Sequence, residues 1–179
     1  MSAANDQILQ APARNRAVVL TRPLTAAQWD LVRSFVSATS RDDLRLRFGQ
    51  PLDLRDQATL ARRFDIEEGK GELILMLDAD GAIEGVLHRV GISPTEAEIG
   101  LLVRTDRKRN GIGKALLCKA LSRAAGQRLK RLSAVILREN TPMLRLARKM
   151  GFALRLLSPQ SVELEVELTL SPEVVAHAC

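Results

Sequence analysis

The 179-residue sequence predicts one α/β (α+β) domain, built on a mixed, mostly antiparallel sheet of six to seven strands with helices on both faces. The length suffices for one well-packed core but is short for two. Apolar runs bounded by turn residues alternate with segments of helical periodicity, in the order β, two or three helices, then βββαβαββ. We expect a flexible arm at 1–15, the domain at 16–170 and a frayed tail at 171–179.

The first part of the domain is predicted to be mostly helical, after a first strand at 17–20. Three polar residues stand where helix N-caps are expected, the first two with a partner in the spacing of a capping box. They are Thr25 with Gln28, Ser40 with Asp43, and Asp53. We therefore expect three helices before residue 66, the last of them at 54–65.

Later apolar runs predict strands, and two turn-forming segments, 78–81 and 93–95, connect the first three of them. The predicted strands are 72–77, 83–91, 96–103, 132–137, 154–157 and 162–170. The run at 132–137 is nearly all apolar, which is typical of a strand buried on both faces. The last strand alternates apolar and acidic residues, so one face is expected to be buried and the other exposed.

A basic turn containing two glycines joins the strand at 96–103 to a helix that continues to Gly126. It reads Lys108-Arg109-Asn110-Gly111-Ile112-Gly113, followed by Lys114. Glycine lets the backbone approach a ligand, and free amides at a helix start bind anionic oxygen. The spacing excludes a P-loop and a dinucleotide fingerprint, because neither Lys108, Ala115 nor Leu116 is the residue those motifs need. The turn indicates another phosphate site or a turn without a ligand.

A second motif begins at the next predicted helix. Asn140 or Thr141 is placed to cap this helix, and Pro142 occupies its first turn, where proline is favoured. Gly151-Phe152 ends it after an apolar stripe. The motif therefore runs from Asn140 to Phe152, one strand beyond the glycine turn.

Together, the two motifs resemble those of the GNAT family of N-acetyltransferases, over roughly residues 70–170. That family usually has Gln or Arg in place of Lys108. The resemblance implies the GNAT fold, an acetyl-CoA cofactor and transfer of acetyl to a primary amine. It also implies cofactor contacts from the strand, the turn and the second motif: Leu101, Leu102, Val103, Lys108, Arg109, Asn110, Gly111, Ile112, Gly113, Lys114 and Asn140.

Acetyl transfer to an amine requires a base, because a lysine amine with a pKa of about 10.4 is protonated at neutral pH. The resemblance implies that Glu98 is this base, and Glu96, on the same strand face, is the second candidate. The alternative for each is a solvated strand glutamate. Many relatives carry a Tyr at the position of Ala147 to protonate the leaving thiolate. This chain contains no Tyr, which excludes a tyrosine acid.

The segment 37–49, the following helix and the residues 147–152 resemble the acetyltransferase module of bacterial protein lysine acetyltransferases, which modify acyl-CoA synthetases. A protein lysine, such as one on an acyl-CoA synthetase, is therefore the expected acceptor. Three alternatives remain open. They are a small amine acceptor, a coenzyme A-binding sensory module without catalysis, and a basic domain that binds nucleic acid.

The composition argues against nucleic acid, a metal ion and a membrane as partners. A net charge of +6 permits nucleic-acid binding, but aromatic residues are only 3% of the chain, so few side chains can stack on nucleic-acid bases. No zinc-ligand spacing appears, and we expect neither a metal nor nucleic acid. No apolar run is long enough for a membrane span, and no signal peptide is apparent. The sequence gives no indication of oligomeric state.

Cysteine and histidine are rare. Cys118 and Cys179 make no disulfide framework, so a reducing, cytoplasmic setting is expected. Cys118 is in mid-helix, where a small buried thiol is more common than a nucleophile. His88 lies in a predicted strand, and we expect neighbouring groups to satisfy its ring nitrogens.

Overall fold

Seven strands form one sheet in the described part of the chain, in the order β1-β2-β3-β4-β5-β7-β6. The computed structural model describes residues 16–20, 24–51, 57–64, 66–67 and 69–179. The strands are β1 Arg16–Leu20, β2 Gly71–Leu77, β3 Ile83–Ser93, β4 Glu96–Val103, β5 Arg131–Leu137, β6 Ala153–Leu156 and β7 Glu163–Thr169. The helices are α1 Ala26–Ser37, α2 Arg41–Phe48, α3 Gln57–Phe64, α4 Ile112–Gly126, α5 Thr141–Lys149 and α6 Pro172–Ala178. The predicted fold class is confirmed.

The sheet separates two apolar cores, with helices on each face as predicted. Phe35 of α1 and Phe64 of α3 belong to the core that includes Val86 of β3. On the opposite face, Leu116 of α4 and Leu132 of β5 belong to a larger core, which α5 and α6 also join. Burial of these apolar side chains is the main source of stability in a domain of this kind.

The β4–β5 pair is the place where the sheet opens. All other neighbouring strands are antiparallel, whereas β4 and β5 are parallel. Only three residue pairs join β4 and β5, and the last is Glu98 with Ser133. Beyond Glu98, the strands separate, so alternate main-chain groups of β4 face an opening instead of a partner strand.

Most of the predicted helix signals are confirmed. Thr25 and Gln28 form the reciprocal bonds of a capping box at the start of α1. Ser40 caps α2 by accepting a bond from the Asp43 amide at 3.1 Å. The Asp43 carboxylate does not return this bond, because it accepts from Thr105 instead. Asp53 and the predicted arm at 1–15 lie outside the described residues.

Strand β5 is buried along one face but on the other face only at its last residue, Leu137, so the prediction of burial on both faces was wrong. Leu132, Ala134 and Ile136 are buried, but Val135 on the opposite face is 47% exposed. The helices on that side lie chiefly over β3 and β4 and reach β5 through α2. The alternation predicted for β7 is confirmed, since Val166 is buried and Glu165 is directed to the other face.

A buried ion network attaches α4 to the sheet. Glu72 of β2 accepts hydrogen bonds from Arg89 of β3 at 2.8 Å and from Arg123 of α4 at 2.7 Å. Arg89 also donates to Gln127, just after α4. Each carboxylate oxygen of the buried Glu72 therefore has a cationic partner, which offsets the desolvation of its charge. The network fixes the helix that begins at the glycine turn.

The C-terminal segment differs from two predictions. Residues 172–178 form α6 instead of a frayed tail, capped by Ser171 and packed against α4. Cys118 of α4 and Cys179 are joined in a disulfide, so the expectation of two unpaired cysteines was wrong. Because the two cysteines are paired, they do not indicate the reducing, cytoplasmic setting that we expected. No helix in the described residues is both long and apolar enough to cross a bilayer.

Candidate active site

The glycine turn presents unpaired amides at the start of α4. After a 3₁₀ turn at Thr105–Arg107, the backbone takes positive φ at Arg109 (66°) and Gly111 (79°). The amides of Ile112, Gly113 and Lys114 donate to no acceptor in the described part of the chain. Such amides, together with the helix dipole, favour an anionic ligand.

The two glycines of the turn are needed for different structural reasons. Gly111 has a positive φ and open space where a side chain would begin, so its role is conformational and it leaves room above the turn. Gly113 has helical geometry, and a Cβ there would lie 3.1 Å from Leu146 and 3.4 Å from Leu101. It permits close packing of α4 against β4 and α5.

A cleft of about 370 Å³ extends from this turn into the opening between β4 and β5. Apolar side chains line its inner part, among them Val103 and Leu146, while the turn forms its charged end. The structure brings ten of the predicted cofactor residues to this cleft: Leu101, Leu102, Val103, Lys108, Arg109, Gly111, Ile112, Gly113, Lys114 and Asn140. Asn110 belongs to the same turn but does not line the cleft.

The charges at the mouth of the cleft are mainly basic. Arg109 and Lys114 form no ion pair with a described residue, so both remain available to an anion. Lys108 is different, because its ammonium donates to Asp43 of α2. Burial raises the pKa of Asp43, but hydrogen bonds from Lys108, Thr105 and Ser40 outweigh it and hold that pKa below its usual range. Asp43 thereby ties α2 to the glycine turn.

Asn140 lies between the turn and the second motif, where it caps α5. Its side-chain oxygen accepts the Met143 amide at 3.3 Å. Asn140 also lines the cleft, so capping leaves its side-chain amide group beside the space for a ligand. The interpretations as a helix cap and as a cofactor contact are therefore compatible.

The two candidate bases have different environments on β4. Glu98 is exposed and forms no ion pair with a described residue, and it stands at the point where β4 leaves β5. Glu96 is paired with Arg131 at 2.8 Å. Register places Glu98 on the same sheet face as Gly100 and His88. The carboxylate without a partner is thus the one next to the opening.

Arg47 of α2 is a site residue that the sequence did not indicate. Its guanidinium lies directly over Gly100, where any Cβ would collide with it. Arg47 lines both the cleft and a smaller cavity of about 30 Å³ in the β4–β5 opening. The only sequence signal was the glycine inside a strand, which often marks a close approach by another group.

Three further predictions concern residues outside the cleft. Cys118 is bonded to Cys179 and does not line the cleft. His88 is buried, and neither ring nitrogen has a hydrogen-bond partner in the described residues, so the expectation of a satisfied histidine was wrong. Ala147 is 1% exposed and contributes to the core of α5, so this position offers no acid.

The fold and the cleft define an acetyltransferase that binds coenzyme A. An opening beside a parallel strand pair leads to unpaired amides at a helix start, and this combination suits a pantetheine arm ending in a pyrophosphate. Residues 19–153 match the acetyltransferase (GNAT) domain family, and the chain belongs to that family. The protein is an acetyl-CoA-dependent N-acetyltransferase.

Solved structures share the same fold. The GNAT domain of S. lividans PAT is similar with a TM-score of 0.75 and 21% identity, covering 95% of this chain and 100% of that chain. Spermidine N-acetyltransferase from Vibrio cholerae, in complex with CoA and spermine, has a TM-score of 0.67 and 14% identity, covering 84% and 95%. A GCN5-related N-acetyltransferase from Kribbella flavida has a TM-score of 0.66 and 18% identity, covering 85% and 98%.

Proposed function

We propose that Glu98 is the general base with which this enzyme acetylates a primary amine, and that the amine belongs to a protein lysine. The observation that carries this proposal is the position of Glu98 where β4 and β5 separate, as an exposed carboxylate that forms no ion pair with any residue the structure describes. A base must lie within reach of both the acceptor and the acyl donor. Glu96 meets this requirement less well, because Arg131 holds its carboxylate.

The residues of the cleft fit the cofactor. The amides of residues 112–114, with Arg109 and Lys114, would hold its pyrophosphate. Asn140 and the main chain of β4 beyond Glu98 would hold its pantetheine arm, between apolar side chains such as Val103 and Leu146. Bound acetyl-CoA supplies the acetyl group as a thioester.

Glu98 would prepare the acceptor for attack by removing its proton. An ammonium group entering beside β4 is not a nucleophile until this proton leaves, and an exposed carboxylate can accept it directly or through one water. Main-chain N–H groups near Leu101 and Leu102 that face the opening would stabilise negative charge on the carbonyl oxygen.

A protein lysine is supported by the fold likeness to the GNAT domain of S. lividans PAT over the whole of that domain. Val135, beside the opening, is 47% exposed, so no described residue covers the sheet face beyond α2 at this point, as a large acceptor requires. A small amine is the second candidate, since the spermidine N-acetyltransferase from Vibrio cholerae shares the fold with a TM-score of 0.67.

Substitution of the two strand glutamates tests the base. We expect Glu98→Gln to lower kcat about 100-fold or more, without changing the Kd for acetyl-CoA, because the substitution removes a proton acceptor and leaves the cleft intact. Steady-state kinetics and calorimetric titration measure the two quantities. Glu96→Gln is the matched variant, and it should retain most activity. The opposite result, with Glu96→Gln inactive and Glu98→Gln active, would assign the base to Glu96.

A further inference from the structure

The acceptor side of the active site contains a cation that lacks a hydrogen-bond acceptor. Arg47 lies at the C-terminal end of α2, and the Nε of its guanidinium is buried without a partner in the described residues. A buried polar atom that is unpaired in a folded protein usually has a reason, such as a ligand. The donor therefore indicates that an acceptor atom is to be supplied from outside the chain.

Its position places this donor where an acceptor molecule must pass. The guanidinium rests on Gly100, two residues after Glu98 on the same face of β4. Arg47 also lines both the cofactor cleft and the small cavity between β4 and β5. A molecule that presents its amine to Glu98 at this opening will therefore also meet Arg47.

Among the described residues around Arg47, positive charges outnumber negative ones. Arg63 of α3 lies near Arg47, with both guanidinium groups facing the Phe48 ring at 5.7 and 4.9 Å. His88 is the neighbour from β3, and it is neutral. Burial lowers the pKa of Arg47 to about 10, and the positive charge of Arg63 acts in the same direction, while the negative charge of Glu98 opposes both.

The other acidic residues near α2 already have partners. Asp43 accepts from Lys108 and Thr105, and Glu139 pairs with Arg45 at 2.5 Å. Glu98 itself loses its negative charge whenever it holds the acceptor's proton. At that moment Arg47, whose Nε is buried, would lack a nearby counter-charge among the described residues, and a buried charge requires one.

We propose that Arg47 binds a carboxylate adjacent to the acceptor amine, so that this enzyme selects amines that carry a nearby negative charge. A guanidinium binds a carboxylate through parallel hydrogen bonds, which fix orientation as well as adding energy. The carboxylate has two sources, an acidic residue beside the target lysine in a protein or the carboxyl group of a free amino acid. The proposal rests on the proposed function, because it places the acceptor amine at Glu98.

Matched acceptors that differ only in the carboxylate test this selection. One pair is a lysine peptide with Glu next to the lysine and the same peptide with Gln. The other pair is free lysine and cadaverine, its decarboxylated form. We expect the wild type to prefer the carboxylate-bearing member of at least one pair by about tenfold or more in kcat/KM, as charge-assisted hydrogen bonds allow. The pair that shows the preference identifies the source.

Variants connect the preference to Arg47. Arg47→Met should reduce the preference for the carboxylate-bearing acceptor to about twofold or less. The KM for acetyl-CoA and the melting temperature measured with acetyl-CoA should stay close to wild type. Arg41→Met is the matched control, since Arg41 is exposed at the start of the same helix and lines neither cavity. It should keep the full preference.

Two results would overturn this proposal alone. One is a wild type that acetylates both members of both pairs equally well. The other is an Arg47→Met variant that keeps the preference, whether or not its affinity for acetyl-CoA changes. Failure of the wild type to acetylate any of these amines would overturn the proposed function together with this inference.

Discussion

Arg47 and His88 show how single residues acquire properties from distant parts of the chain. They are far apart in sequence, yet both lie beside Gly100 between helix α2 and the sheet. Burial, with the nearby Arg47 charge, lowers the pKa of His88 to about 3. Sequence could not predict this pair, because neither residue has a local pattern that indicates its partner. The position of Glu98 on the strand before the glycine turn was predictable from local sequence, and its role as the base stays a prediction.

The buried His88 makes stability depend on pH. An unfolded histidine binds a proton near its usual pKa of 6.5, whereas folded His88 does so near 3. The neutral His88 side chain therefore makes its full contribution to the stability of the folded state above pH 6.5, and this contribution is lost as the pH falls from 6.5 towards 3. We expect the free energy of unfolding to fall by up to about 1.4 kcal/mol per pH unit in this range from His88 alone.

Comparison with His88→Leu isolates this contribution. The variant removes the titrating group, while all other groups titrate as before. Urea unfolding between pH 4 and 8 should give a stability difference between the two proteins that changes in favour of the variant as pH falls. Parallel stability curves would show that the proton affinity of His88 does not change on folding.

At the scale of elements, the predictable parts are those with local causes. The strand, glycine turn and helix from β4 to α4 follow from adjacent residues, and so does the Asn140 cap of α5. Helix α6 has a cap signal in Ser171 and Pro172, but seven residues are too few for a stable helix without packing. Its packing on α4 and the Cys118–Cys179 bond are non-local. The sequence prediction therefore missed it.

The disulfide attaches α6 to the helix that begins at the glycine turn. It closes a loop with a sequence separation of 61 residues, which restricts the unfolded chain. We expect reduction, or Cys179→Ser, to lower the free energy of unfolding by about 2–4 kcal/mol. Urea unfolding with and without dithiothreitol measures the change, and the variant itself should not respond to the reductant. Equal wild-type stability in both conditions, with two titratable thiols in the unfolded protein, would show that the bond does not form.

At the scale of the molecule, the active site is assembled from both halves of the sheet and from both faces. Strand β4 contributes Leu101, Leu102 and Val103 to the cleft, α4 the unpaired amides, and the cap of α5 Asn140. Glu98 lies on the same strand but does not line the cleft, and its place in the active site is part of the proposal. Helix α2 adds Arg47 and is held to the turn through Asp43, Lys108 and Thr105. The order of elements and two motifs, through the family that they resemble, were enough to predict the fold and the acetyl-CoA cofactor. Ten of the predicted contact residues line one cleft, and their contacts with the cofactor stay a prediction. The acceptor end depends on where α2 packs, which the sequence did not specify.

The most direct test of the cofactor site is thermal unfolding with and without acetyl-CoA, in the wild type and two glycine variants. Gly111→Glu places a carboxylate in the turn. Gly81→Glu is matched to it, because Gly81 has almost the same φ (82° against 79°) and equally open surroundings, but lies in the β2–β3 turn. The backbone strain of the two substitutions should therefore be similar.

Acetyl-CoA at a hundred times its Kd should stabilise the wild type by about 2.7 kcal/mol and raise its melting temperature by about 5–10 °C. Gly81→Glu should melt at a lower temperature and keep the same ligand-induced rise, whereas Gly111→Glu should lose the rise. A wild type whose melting temperature does not respond to acetyl-CoA, or a Gly111→Glu variant with an undiminished response, would contradict the assignment of this cleft to the cofactor.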